Sequence, residues 1–288
     1  MPKGLANVSI SRKHSRVQTV DQPLFAPRIR HLGGASTIID ETWRYTLRSP
    51  HWRLYLNDDA GAWVEHPRGR LALAPGRIVL LPSWGGFASG CSGRVRHRFL
   101  HFEPQGLDAG WDDGLLAVPQ VLAPDPLLDR LAERCFAGGE ACSWWARALV
   151  EAALAAWFGR LPAAQRRRLA ERLDAPDPLA PALRLAEERL AGPLPVAALA
   201  QACGCSEDTL ARLMRARLGR SPAAWVRQRR CARATELLTG DAAIEEVALR
   251  CGFANRHHFT RVFAAEMGCG PAEHRRRLRA WSPATRLA

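Results

Sequence analysis

Lysine is almost missing from this chain: among 288 residues only Lys3 and Lys13 are lysines, although Lys+Arg together number 41. The positive charge is therefore carried by arginine, and against 28 Asp+Glu it leaves a formal net charge of +13. Such a balance favours a polyanionic partner, through phosphate contacts and counterion release. Arg, Ala, Gly and Pro are abundant together, so codon bias accounts for a large share of the arginines. No apolar run approaches the ~18 residues a membrane helix needs, and the first twenty residues hold no apolar core of a secretory signal. A cytoplasmic protein without a membrane segment is expected. The eight cysteines are scattered and form no CxxC pair. Cys203-x-Cys205 has no second ligand pair at metal spacing, so reduced, structural thiols are expected rather than zinc.

The chain does contain one pattern twice. Leu199-Ala200-x-x-Cys203-Gly204, Leu210-x-Arg212-x-Met214 and Gly219-x-Ser221-Pro222 recur as Val247-Ala248-x-x-Cys251-Gly252, Phe259-x-Arg261-x-Phe263 and Gly268-x-Gly270-Pro271. The offset is 48 residues up to the turn glycine and 49 after it, so the second copy carries one inserted residue. A repeat of this period denotes two supersecondary units. Each has the anatomy of a helix-turn-helix: a short apolar-periodic helix, a glycine turn and a second amphipathic helix. Ser206 and Asn255 are predicted to cap the second helices. Leu210 and Met214 in one copy, Phe259 and Phe263 in the other, fall on the core face. Asp208, Ala211, Arg212 and Arg215, and then Arg256, His257, Thr260 and Arg261, fall away from it. With Ser206, Thr209 and Asn255 these are the candidate DNA contacts, since arginine reads guanine bidentately and threonine contacts a thymine methyl or a phosphate. Ser221-Pro222 opens a helix to about Leu238, a stiff spacer that would set the two units in successive major grooves ~34 Å apart. From residue 175 onward 18 arginines stand against 11 acids, a modest local surplus of 7.

Gly252-Phe253-x-x-x-x-His258-Phe259-Thr260-Arg261-x-Phe263 with Gly268-x-Gly270-Pro271-x-x-x-Arg275 resembles the signature of AraC/XylS-type transcriptional regulators. Ser206-x-x-x-Leu210-x-Arg212 and Arg230-x-Ala232 in the first unit and spacer agree with it. The resemblance covers about 178–277, and it implies that the helices beginning near Ser206 and Asn255 enter adjacent major grooves. His274 stands where an aromatic is usual in that family. Asp208 and Ala211 occupy positions that commonly reach bases, which shifts base readout toward Arg256 and His257.

The first half is different text. Residues 1–22 are polar and basic, predicting a mobile tail. From 24 to 104, short β-type runs alternate with turn signals, as in a small barrel or sandwich. Asp125-Pro126 caps a helix to about Phe136, and a second helix over 141–159 is apolar most of the way round. Its outer side packs within its own domain or against a second subunit. Residues 166–177 read as a linker. Leu73-Ala74-Pro75-Gly76-Arg77-Ile78-Val79-Leu80-Leu81-Pro82 and His97-Arg98-Phe99-Leu100-His101-Phe102 look like the cupin-type sensor of many AraC relatives, which implies a small effector, often a sugar, inside the barrel. Trp43, Trp52, Trp63 and Trp84 are candidate stacking platforms or β-core; Arg53, Tyr55, Glu65, His97 and His101 are candidate polar contacts. His97, His101 and Glu103 share one face of a strand, but His-x-x-x-His is not the cupin metal spacing, and neither a metal nor another cofactor is expected.

The expectation is therefore an α+β protein: a cupin-like β-barrel sensor domain over 23–165 and an all-α domain over 178–280 with two helix-turn-helix units on a long helix. It would be a non-enzymatic regulator of transcription, and an activator by the family's usual role. Its partners would be double-stranded DNA, a small-molecule effector, a second copy in a homodimer and, for an activator, RNA polymerase. The rivals are a cupin-fold metal-dependent enzyme with a DNA-binding appendage and a DNA-repair protein with a methyl-accepting cysteine. The latter needs a cysteine cluster that Cys91, Cys135 and Cys142 do not supply.

Overall fold

The computed structural model describes residues 29–47, 51–83, 86–104, 107, 118–137, 143–174 and 177–281. The expected tail over 1–22 and Trp84 lie outside the described residues. Among the described residues the first half holds nine strands: β1 (Ile29–Ile39), β2 (Tyr45–Leu47), β3 (Trp52–Asn57), β4 (Ala62–His66), β5 (Gly69–Ala72), β6 (Val79–Leu81), β7 (Phe87–Cys91), β8 (Val95–Pro104) and β9 (Gln120–Val121). They form a five-stranded sheet, β1-β8-β3-β6-β9, and a four-stranded sheet, β2-β7-β4-β5. Every pairing within them is antiparallel. The expected closed barrel is corrected to two facing sheets, because no ladder joins one sheet to the other among the described residues.

Strand alternation divides the buried residues into two cores. Ile39, Trp43, Tyr55, Val64, Leu81, Phe87 and Val95 fill the space between the sheets. On the opposite face of the larger sheet, Trp52, Leu54, Leu100 and Phe102 pack against α1 (Pro126–Phe136), α2 (Ser143–Gly159) and α3 (Ala163–Asp174). Asp125 caps α1 by accepting from the backbone N–H of Leu127 at 2.8 Å, as its sequence predicts. The stretch expected to be a linker is largely α3, whose Leu169 is buried in this same core. On α2, Trp144 and Trp145 stay exposed while Leu149, Leu154 and Trp157 face inward.

The second half is helical: α4 (Ala180–Glu188), α5 (Val196–Ala202), α6 (Glu207–Leu218), α7 (Pro222–Leu237), α8 (Ile244–Arg250), α9 (Arg256–Met267) and α10 (Pro271–Trp281). Each helix-turn-helix unit has its own core. Leu199, Leu210 and Met214 anchor the first; Val247, Phe253, Phe259 and Phe263 anchor the second. The spacer α7 belongs to both. Trp225 and Val226 at its start join the first core, and Cys231, Ala234 and then Leu238 join the second. Among the described residues no helix is long and apolar enough to cross a membrane.

Candidate nucleic-acid interface

Both recognition helices are built by the same local chemistry. Ser206 Oγ accepts from the Thr209 N–H at 3.2 Å, and Asn255 Oδ1 accepts from the His258 N–H at 2.9 Å. Each satisfies a helix-start donor that would otherwise be orphaned. Both helices are 12 residues long and end on a left-handed glycine, Gly219 or Gly268. The residue inserted in the second copy is taken up between Gly252 and the cap, so the two helices themselves are equivalent. Gly252 has a second duty besides its φ of +80°: a Cβ there would lie 2.3 Å from the Leu190 carbonyl oxygen and 2.9 Å from Arg230 Nε. Arg230 donates to the carbonyls of Leu190 and Gly192, fastening the spacer to the first unit where the second unit's turn arrives.

Several arginines of this half are engaged within the protein. Arg217 pairs with Asp177, Arg220 with Glu266, Arg250 with Glu246, and Arg277 with Glu273; Arg275 donates to the Ala242 carbonyl. Arg212, Arg215, Arg256 and Arg261 are exposed and have no ion pair or side-chain hydrogen bond among the described residues. These four lie on α6 and α9, at the positions predicted to leave the core. Asp208, Asn255 and His257 are exposed too, and Thr209, Ala211 and Thr260 are half-buried. Ser206 and Thr209 also bond to each other, Oγ to Oγ1 at 3.0 Å, so their hydroxyls are already engaged. The resulting surface offers unneutralised guanidinium groups on two rigid, capped helices. Fixed cations of this kind suit phosphate oxygens and guanine edges.

Among the described residues the cysteines are free thiols, and Cys142 lies outside them. Burial pushes Cys251 up to about 11 and Cys231 up to about 12, so both stay protonated in the core of the second unit. His274 fills the aromatic position, edge-on to Phe263 with ring centroids 5.4 Å apart.

Expected effector contacts separate into three places. Trp43, Arg53, Tyr55 and His97 are buried on the inner side of the larger sheet, and His101 follows on the same side. Trp52 points the other way, into the helical core beside Trp157. Trp63 and Glu65 sit on the outer face of the smaller sheet, where Arg70 stacks over Trp63 and pairs with Glu65 at 3.6 Å. Strand parity is the reason: neighbours of Arg53 and Val64 in sequence must face away from them. His97 is not disposed as a metal ligand. Asn57 Nδ2 donates to the Leu73 carbonyl, which leaves Asn57 Oδ1 to accept from His97 Nδ1 at 2.7 Å. Burial lowers His97 to about 3, so it is neutral. Among the described residues no three His, Cys, Asp or Glu side chains gather as a metal set would.

A contact missed by sequence reasoning joins the halves. Arg229 of α7 makes a two-pronged bond to Glu103 of β8, 3.2 Å to each oxygen, and donates through Nε to Glu187 of α4 at 2.6 Å. His51 Nδ1 lies 3.2 Å from the same Glu103 carboxylate. Burial raises the Glu103 carboxyl, but His51 and Arg229 outweigh it and hold the group down at about 2. Strand β8 thus grips the helix on which both helix-turn-helix units are mounted.

Residues 199–277 match a protein family described as "Helix-turn-helix domain". The HTH-type transcriptional activator RhaR of Enterobacter sp. (strain 638) is 37% identical over 76 residues, 26% of this chain and 27% of RhaR. RhaR of Yersinia pseudotuberculosis (serotype O:1b) is 38% identical over 73 residues, a quarter of each chain. Over this stretch the chain is similar to AraC/XylS-type regulators. This chain spans about a quarter of the length of the curated relatives it matches. Over both halves the fold is that of ToxT from Vibrio cholerae, with a TM-score of 0.60 at 12% identity, covering 88% of this chain and 100% of that one. The DNA-binding domain of AdpA, solved with a target DNA, is 35% identical and covers 36% of this chain and 96% of that domain, with a TM-score of 0.35.

Proposed function

We propose that this AraC/XylS-type chain is a sequence-specific regulator of transcription that binds double-stranded DNA through α6 and α9 and is controlled by a small molecule acting on its N-terminal sandwich. The observation that carries the proposal is the matched placement of four arginines: Arg212 and Arg215 on α6, and Arg256 and Arg261 on α9, are held out exposed and unpaired on two equivalent, capped helices. A regulator of this class works in the cytoplasm, and as an activator it would engage RNA polymerase, in keeping with the activator RhaR. Control by a small molecule is supported by ToxT, one structure of which holds an unsaturated fatty acid. The buried Trp43, Tyr55, Arg53 and His97 make the inner side of the larger sheet, rather than Trp63 or Glu65, the side from which a ligand would be felt.

α7 makes the two units one reader. At about 1.5 Å per residue its 16 residues span about 24 Å, and buried side chains fix it to both cores. Because Arg229 on this same helix is held by Glu103, a change at the sensor's inner face alters how the reader is held. A homodimer through the exposed edge of α2 would double the half-sites. The test is selection of DNA from a random pool by the full chain, followed by binding of the winning site to Arg256→Ala and Arg261→Ala variants. Enrichment of a defined site that both variants lose supports the reading, and retention of that site by both contradicts it.

A further inference from the structure

The two recognition helices are tied to each other at their ends. Arg220 follows the left-handed Gly219 that closes α6, and it donates to the Glu266 carboxylate at 3.0 Å. Glu266 lies in the last turn of α9, one residue before Met267. A carboxylate there faces the negative end of the helix dipole, so its own helix disfavours it. The repeat does not account for the pair either. At the 49-residue offset the first copy has Arg217 in place of Glu266, and the second copy has Cys269 in place of Arg220. Arg217 pairs instead with Asp177, just before α4 of its own unit. The Arg220–Glu266 bond thus belongs to the relation between the units and to neither unit alone.

A second contact joins the units through the spacer. Arg230 of α7 donates to the Leu190 carbonyl at 2.9 Å and to the Gly192 carbonyl at 2.7 Å. Gly252 of the second unit comes so close to that Leu190 oxygen that a Cβ would clash with it. Beside this node a cleft of about 520 Å³ stays open between the units, lined by Leu194, Val196, Val226, Arg227, Leu249 and Phe253. The space between the units is therefore not packed as a core is. Their mutual angle rests on α7 and on these two contacts. Glu266 is only 16% exposed, so its bond to Arg220 is partly shielded from solvent and salt.

We propose that the Arg220–Glu266 pair sets the spacing between the two DNA blocks that the chain accepts, as a positioning pair and not as a base contact. This rests on the reading of α6 and α9 as DNA-facing helices and adds a source of specificity to it. One base pair more or less between the blocks moves the second by about 3.4 Å along the duplex and about 34° around it. Helices locked end to end cannot follow such a shift. Helices joined only through α7 and the Arg230 node can follow part of it, by a small hinge movement about the spacer.

The test uses the full chain and a two-block site selected from a random pool. The same blocks are then placed one base pair closer and one base pair further apart, and Kd is measured by fluorescence anisotropy. Wild type is expected to lose about tenfold or more at either altered spacing. Glu266→Gln is expected to cut that penalty to about threefold or less, with the preferred block sequences unchanged. The ratio between spacings cancels any general change in affinity from the altered charge. Arg220→Glu combined with Glu266→Arg, which rebuilds the pair in reverse, should restore the wild-type penalty. Arg217→Ala, which breaks an ion pair within the first unit, should keep it. The proposal is overturned if wild type tolerates all spacings equally, if Glu266→Gln keeps the full penalty, or if Arg217→Ala relaxes it as much. Recovery of no two-block site overturns the bipartite reading and this proposal with it. Recovery of one with an unchanged penalty in Glu266→Gln overturns the positioning pair alone.

Discussion

Arg256 and Arg217 are both arginines on the helices of a helix-turn-helix unit, yet their surroundings differ. Arg217 is held by Asp177 at 3.4 Å, whereas Arg256, like Arg261, is exposed without a protein partner among the described residues. Replacing Arg256 or Arg261 by Ala should weaken a specific site by ~1–3 kcal/mol where the side chain holds a base bidentately. Fluorescence anisotropy on the selected site measures this, with Arg217→Ala expected to lose far less. His97 gives a second expectation at this scale. Its folded pKa, about 3, lies below its ordinary 6.5. The unfolded chain therefore takes up a proton below pH 6.5 that the native state refuses. Stability is full above pH 6.5 and is lost as pH falls toward 3. His97→Gln should flatten that decline in denaturant titrations between pH 7 and 4; an unchanged slope would show that His97 does not drive it. Glu103 acts in the same direction, in the lower window between 4.5 and about 2.

Elements are legible in the sequence where their cause is local. The caps at Ser206, Asn255 and Asp125 and the apolar spacing of α6 and α9 lie within a few residues of what they determine, and the structure has them where the sequence predicts. β7 is not legible in this way. Its Phe-Ala-Ser-Gly-Cys is poor in strand formers, and Gly90 is there because the Trp63 indole lies across it, with a Cβ falling 2.4 Å from the ring. That need comes from the neighbouring strand. α3 has the text of a linker because its charge and alanine hide one decisive residue, Leu169, which is buried in a core built from elements distant in sequence. Gly252 marks the same lesson in the second half: its turn is legible from sequence, but its close approach to the Leu190 carbonyl is not. Gly252→Ala should therefore destabilise the reader by at least the ~1–3 kcal/mol of a strained left-handed residue. Chemical denaturation would measure that loss, and a change below ~0.5 kcal/mol would mean that the approach relaxes freely.

The whole molecule is joined by a contact spanning 126 residues of sequence, Glu103 to Arg229, which no local pattern announces. Each side looks ordinary alone: an acid at the end of a strand, and one arginine among several on α7. Together with Glu187 and His51 they form a partly buried cluster in which losing one member leaves a charge uncompensated. Glu103→Gln should loosen the halves, seen as faster limited proteolysis between α3 and α4, while the melting of each half changes little. Unaltered proteolysis would show that apolar packing alone holds the halves. The central claim is that two equivalent helices on one spacer form a bipartite reader, and selection of DNA by the full chain tests it most directly. Two short blocks about one helical turn, ~10.5 base pairs, apart are predicted, with binding that falls steeply with salt. Recovery of only sequence-blind, salt-sensitive binding would contradict it.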